Sequence, residues 1–94
     1  MKVKVRSFAG FRHILGRESE VELDQVDQED KVGDLLNALC AAHGELRALL
    51  FDQAGLKEDV NILVNGKNIE SLQGMKTELS EGDEVAIFPA AIGG

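Results

Sequence analysis

The chain opens on an alternation. Val3 and Val5 stand between Lys2, Lys4 and Arg6, a period of two that places the valines on one face of a strand and the charges on the other. Gly10 and Gly16 bracket a connection through Phe11, Arg12, His13 and Ile14. After it, Val21 and Leu23 alternate with Glu20, Glu22 and Asp24 as the returning arm of a hairpin. At Val32 the period changes: Val32, Leu35, Leu36, Leu39 and Cys40 fall at helical spacing, with Asp30 placed to accept the first orphan N–H groups. His43-Gly44 predicts the helix end, since glycine can take the left-handed conformation and an imidazole favours the negative end of the macrodipole. Leu46, Leu49 and Leu50 predict a further short helical turn, and Asp52 to Asp59 reads as loop. Val60, Ile62 and Val64 then alternate with Asn61 and Leu63, and Asn65-Gly66 supplies the positive φ angles of a tight hairpin turn before Lys67-Asn68-Ile69. Beyond an irregular stretch from Ser71 to Ser80, the turn Glu81-Gly82-Asp83 leads into a last strand, Glu84 to Phe88. Pro89 ends that strand because it has no N–H to donate. The order strand, strand, helix, strand, short strand, strand predicts an α+β sheet with its main helix across one face.

Composition narrows the function. The chain has 94 residues, 44 % of them hydrophobic, enough for one core and too few for two domains. Residues 1–88 read as the folded domain and 89–94 as a tail. A formal net charge of −7 opposes binding to nucleic acid or to an anionic membrane, and suits a positively charged protein partner. One cysteine, Cys40, forms no internal disulfide and offers no zinc-ligand spacing, so no metal is expected. The charges of Met1 to Arg6 are interleaved with apolar residues and no run of signal-peptide length follows, which reads as a soluble cytoplasmic protein.

Catalytic side-chain constellations are missing from the sequence. His13 and His43 lie far apart, and Cys40 falls on the apolar stripe of the helix, where a buried, inert thiol is the ordinary outcome. The 17 carboxylates are spread over predicted solvent faces, and neither a phosphate loop nor a dinucleotide fingerprint occurs. The tail Ala90-Ala91-Ile92-Gly93-Gly94 offers different chemistry. A carboxylate acylates nothing until it is activated, and adenylation with ATP turns it into a mixed anhydride. Two residues without Cβ let such a carboxylate thread a narrow channel. Ordering a glycine tail is entropically costly, so the folded domain must supply the docking energy. The bland reading of the same residues is a frayed terminus.

Several segments, taken together, resemble the MoaD/ThiS family of ubiquitin-like sulfur carriers over nearly the whole chain. They are Phe8-Ala9-Gly10-Phe11-Arg12 after the first strand, the helix start Val32-Gly33-Asp34-Leu35-Leu36, the hairpin Ile62-Leu63-Val64-Asn65-Gly66, and Leu79-Ser80-Glu81-Gly82-Asp83-Glu84-Val85, which runs on to Phe88-Pro89 and Gly93-Gly94. The pattern is most similar to the small subunit of molybdopterin synthase. Lys31 stands where the family usually has Thr, and Ala90-Ala91-Ile92 replaces the more usual filling of the tail.

The resemblance implies a β-grasp fold, a mixed sheet with the first and last strands parallel neighbours. Val85 and Ile87 would then face the helix. Ala86 and Phe88 would face outward beside Lys4, Arg6 and Phe8, with Leu63 as a further member, making an apolar patch with a basic rim for partner docking. Gly94 would be the reacting residue, with Gly93, Ile92 and Pro89 seating the tail. The implied mechanism binds no cofactor in this chain: an E1-like adenylating enzyme of the MoeB/ThiF type uses ATP on Gly94, a sulfur donor displaces AMP, and the thiocarboxylate supplies sulfur to molybdopterin. In that role the chain is the non-catalytic subunit of a complex with a MoaE-type large subunit, two of each. The alternatives are a modifier joined through Gly94 to lysines of target proteins, a sulfur carrier for thiamine or transfer-RNA thiolation, and a plain binding module.

Overall fold

The computed structural model describes residues 1–24 and 30–89. β1 (Lys2–Ser7) buries Val3, Val5 and Ser7 and exposes Lys2, Lys4 and Arg6. The connection after it is not a simple loop, as the bracketing glycines suggest, but a short helix, α1 (Gly10–Leu15). Phe11 is buried, and Ile14 and Leu15 pack on the core behind it; that spacing is one helical face in a segment too short to show a period. β2 (Glu18–Glu22) returns antiparallel to β1, in the register Val3 to Val21.

α2 (Val32–Ala42) turns Val32, Leu35, Leu36, Leu39 and Cys40 inward. Its N-terminus is not capped by Asp30. The Asp34 carboxylate reaches back to the Lys31 N–H at 3.1 Å, and the Val32 N–H donates to the Thr77 carbonyl at 2.9 Å. Asp30 serves through its backbone, its carbonyl accepting from the Leu79 N–H. The exit from α2 also differs from the expected glycine cap, because Gly44 does not take a positive φ. The His43 N–H donates to the Leu39 carbonyl, and the His43 carbonyl accepts from Leu46, so the chain rolls directly into α3 (Leu46–Leu50).

The stretch read as loop then holds a small hairpin, β3 (Phe51–Asp52) with β4 (Gly55–Leu56). β5 (Val60–Val64) follows with the expected alternation and turns back at Asn65 (φ 50°) and Gly66 (φ 87°) into β6 (Lys67–Asn68). Two positive φ angles define the hairpin turn that matches strand twist. Ile69, expected at the end of that short strand, instead starts a 3₁₀ turn, Ile69–Ser71, and a second, Gly74–Lys76, lies in the stretch read as irregular. Gly33 of α2 passes close to the second of these: a Cβ there would stand 3.2 Å from the Met75 carbonyl oxygen. The last strand, β7 (Glu84–Pro89), extends one residue further than Phe88 and takes in Pro89.

The main sheet has the order β2-β1-β7-β5-β6. β7 runs parallel to β1, Val5 beside Val85, and antiparallel to β5, Ile62 beside Ile87. Inward residues of the central strands join the apolar side of α2 and α3 in one core, in which Leu35, Leu36, Leu46, Leu50, Val85 and Ile87 are fully buried. Burial of this kind, at roughly 25 cal/mol per Å² of apolar surface, fixes the strand register, since a one-residue slip of β7 would turn Val85 and Ile87 to water. β7, paired on both edges and with its inward residues fully buried, is therefore firmly held in the sheet.

Candidate functional site: the end of the last strand

β1 and β7 reach the same end of the sheet, and parallel pairing puts Arg6 beside Ala86 and Ser7 beside Ile87. One residue on, the Phe8 N–H donates to the Ile87 carbonyl at 3.2 Å. The rings of Phe8 and Phe88 consequently meet edge to face, with centroids 5.9 Å apart and planes at 85°. Leu63 lies opposite Ala86 across the β5–β7 ladder, so period two carries Phe8, Phe88, Ala86 and Leu63 to one outward face. The two rings are not fully exposed; each is half-buried, partly by the other.

Arginine chemistry surrounds Phe8. The Arg6 guanidinium carbon lies 5.8 Å from the ring centroid and that of Arg12 lies 5.2 Å from it. Arg12 was not singled out by the sequence pattern. Ala9, with φ 54° in a region L-residues rarely enter, bends the chain after β1; α1 then carries Arg12 back, where its Nε–H donates to the Ser7 carbonyl at 3.0 Å. The signal in the sequence is the four-residue offset from Phe8 to Arg12, legible only once α1 is known to be a helix.

The predicted basic rim is altered by its neighbours. Arg6 pairs with Glu84 and Lys4 with Glu18, each at 3.3 Å. Glu22, Glu20 and Glu18 of β2 stand opposite Lys2, Lys4 and Arg6. The strip beside the patch is therefore an alternation of both signs, not a free positive edge, and pairs this exposed hold one another weakly, at about 0–1 kcal/mol. Arg12, in no ion pair among the described residues, is the uncompensated cation at the patch.

Pro89 closes β7 opposite Val60. Beyond it, Ile92, Gly93 and Gly94 lie outside the described residues, so the tail-seating positions are fixed only at their root. On the inner side of that root, Phe11, Leu49, Lys57, Asp59, Val60 and Pro89 line a groove of ≈ 210 Å³. Groups of enzyme type are dispersed. Cys40 is buried and its thiol pKa is pushed up by that burial, opposed in part by Arg47; His13 is on α1 and His43 closes α2. Among the described residues no three His, Cys, Asp or Glu side chains converge on a metal position, and no helix is long and apolar enough to cross a membrane.

A small mixed sheet grasping one main helix, with parallel terminal strands and a tail leaving the central one, defines a ubiquitin-like β-grasp protein. The ThiS family model matches residues 5–94, and the chain belongs to that family of MoaD/ThiS-type ubiquitin-like proteins. It is 38 % identical over 94 residues to small archaeal modifier protein 3 of Haloferax volcanii, the match covering all of both chains. It is 32 % identical over 95 residues, again covering all of both, to a protein of Archaeoglobus fulgidus whose name proposes a sulfur-carrier role. A solved structure from Pyrococcus furiosus, whose name proposes subunit 1 of a molybdopterin converting factor, superposes with a TM-score of 0.72 at 34 % identity, over 95 % of this chain and 97 % of that one.

Proposed function

We propose that this chain is a sulfur carrier that works through Gly94 as its terminal residue. An E1-like enzyme of the MoeB/ThiF type adenylates the Gly94 carboxylate: a carboxylate oxygen attacks the α-phosphorus of ATP and pyrophosphate leaves. A hydrosulfide equivalent then attacks the acyl carbon and AMP leaves, giving a thiocarboxylate. This soft anionic nucleophile, on an arm rooted at Pro89, delivers sulfur to molybdopterin in the active site of a MoaE-type large subunit. No side chain of this chain acts as acid, base or nucleophile; the fold supplies the root and the docking face.

The reading is carried by one observation, that the family match runs through the tail to residue 94 and so includes Gly93-Gly94. The molybdopterin acceptor is supported by the likeness to the Pyrococcus furiosus protein. The patch of Phe8, Ala86, Phe88 and Leu63, with Arg6 and Arg12 over Phe8, is the surface on which the activating enzyme would dock, because buried aromatic and arginine anchors dominate interface energy. A second reading has its own support in the 38 % identity to a small archaeal modifier protein: the same activated Gly94 would pass to the amine of a target lysine, forming an isopeptide bond with loss of AMP.

The test common to both readings is ATP–pyrophosphate exchange by an adenylating enzyme from the same cells. Exchange is expected to require this chain and to fall to background when Gly94 is deleted. Exchange that persists with the deletion would remove Gly94 from the mechanism.

A further inference from the structure

The Asn65-Gly66 turn joins a reactive dipeptide to a structural hold. An asparagine followed by glycine is prone to lose its side-chain amide spontaneously, because a residue without Cβ lets its backbone nitrogen approach the asparagine Cγ. Both residues are exposed, and a Cβ built on Gly66 would meet nothing within 4 Å, so the space that the reaction needs is open. The hold is made by the same amide. Its nitrogen donates to Asp83 Oδ1 at 2.9 Å and its oxygen accepts the Glu84 N–H at 3.0 Å, which ties the turn to the first residue of β7. Asp83 is engaged on its other side too, where Oδ2 accepts the Ser80 N–H at 2.8 Å.

We propose that Asn65 is a modification site: it deamidates through Gly66, and the product releases the start of β7. The Gly66 nitrogen attacks Asn65 Cγ, forming a C–N bond and giving up its proton, and ammonia leaves as a five-membered imide closes. Water then opens the imide. Attack at the former side-chain carbonyl gives aspartate, and attack at the backbone carbonyl gives isoaspartate, in which the chain runs through Cγ. Overall a water is consumed and an ammonia released, with no change of oxidation state.

Neither product fits the site. Aspartate replaces a donor by an acceptor, so two carboxylates face one another where a hydrogen bond stood, and like charges that close oppose each other. Isoaspartate adds an atom to the backbone of a turn whose two positive φ angles match the twist of its strands. The hold also sets the pace of its own loss. Cγ reaches the Gly66 nitrogen only after the amide has left Asp83 and Glu84, so the reaction proceeds from a locally opened turn. The inference goes beyond the reading of Gly94 and does not depend on it: it gives the folded chain a limited life, ended at the root of its central strand.

The test follows the folded full chain in mildly alkaline buffer beside the chain unfolded in urea, with the tryptic peptide 58–67 mapped by mass spectrometry at intervals. That peptide carries its own control, Asn61, which is followed by the β-branched Ile62. Acid and isoaspartyl forms are expected to accumulate at Asn65 and not at Asn61, more slowly in the folded chain than in the unfolded one. The denaturation midpoint of the folded sample is expected to fall in step. Made directly, Asn65→Asp is expected to lower the midpoint, and adding Asp83→Asn to recover most of the loss by returning a donor to the pair. The proposal is overturned by an Asn65 that stays intact in the folded chain while the unfolded chain converts, by equal rates in the two states, or by equal conversion at Asn61. It is equally overturned by conversion that leaves the midpoint unchanged, or by an Asn65→Asp deficit that Asp83→Asn does not reduce.

Discussion

Phe88 holds the proposed docking face together: it meets Phe8 edge to face, and Phe8 in turn lies under Arg6 and Arg12. Its ring is half-buried and outside the main core, so truncation removes surface chemistry more than stability. Phe88→Ala is expected to weaken binding to the adenylating partner by ~10–100-fold with the circular dichroism spectrum unchanged; titration calorimetry measures it, and unchanged affinity would move the docking site elsewhere. Glu22 gives a second residue-scale test. The hydrogen bond from the Met1 ammonium, at 2.7 Å, is the main cause holding its pKa below the ordinary 4.5; desolvation opposes it, and the ammonium and Lys2 charges add smaller lowering effects. A lowered folded-state pKa contributes stability that is complete above the ordinary value and is lost as pH falls through the lowered one. Denaturant midpoints of Glu22→Gln should fall below wild type at pH 7 and converge with it as the pH falls below 4.5 through the lowered pKa; a deficit that stays constant with pH would contradict the pairing.

Among the elements, the β5–β6 turn does more than reverse the chain. Asn65 accepts the Glu84 N–H at its side-chain oxygen (3.0 Å), donates its amide to Asp83 Oδ1 (2.9 Å), and gives its own backbone N–H to the Glu84 carbonyl (2.8 Å). The turn thereby clamps the start of β7, the strand that carries the tail. Asn65→Ala loses two side-chain hydrogen bonds and places alanine at positive φ, so chemical denaturation should show a loss of about 1–3 kcal/mol; a loss within error would mean the clamp is ornamental. The strands and α2 were legible in the sequence because each is long enough to show its period, Val60-Ile62-Val64 and Leu35-Leu36-Leu39 most clearly. α1 and the β3–β4 hairpin were not, since six residues and two pairs of residues carry no period to read. The capping at Asp34, the exit at Gly44 and the placement of Arg12 depend on contacts made after folding: the approach of Thr77 to α2, the turn at His43, and the bend at Ala9. Local residue preference does not contain them.

For the molecule as a whole, the design follows from where β7 sits. It lies between β1 and β5, with Val85 and Ile87 fully buried, and so gives the proposed working tail a firm root at Pro89. A net charge of −7 and a mixed-sign strip along β1 and β2 steer partners of complementary charge. The family resemblance, which pairs the first and last strands, together with alternation along them places Phe8, Phe88, Ala86 and Leu63 on one face, and the structure adds the guanidinium of Arg12 and the groove at the end of β7. The proposed function turns on the Gly94 carboxylate, so the most direct measurement is the intact mass of the protein isolated gently from its own cells, followed by fragmentation of its C-terminal peptide. The account predicts a form in which one sulfur replaces one oxygen, located on Gly94. A Gly94 that is a free, unaltered carboxylate in every species, neither thiolated nor joined to lysine, would contradict it.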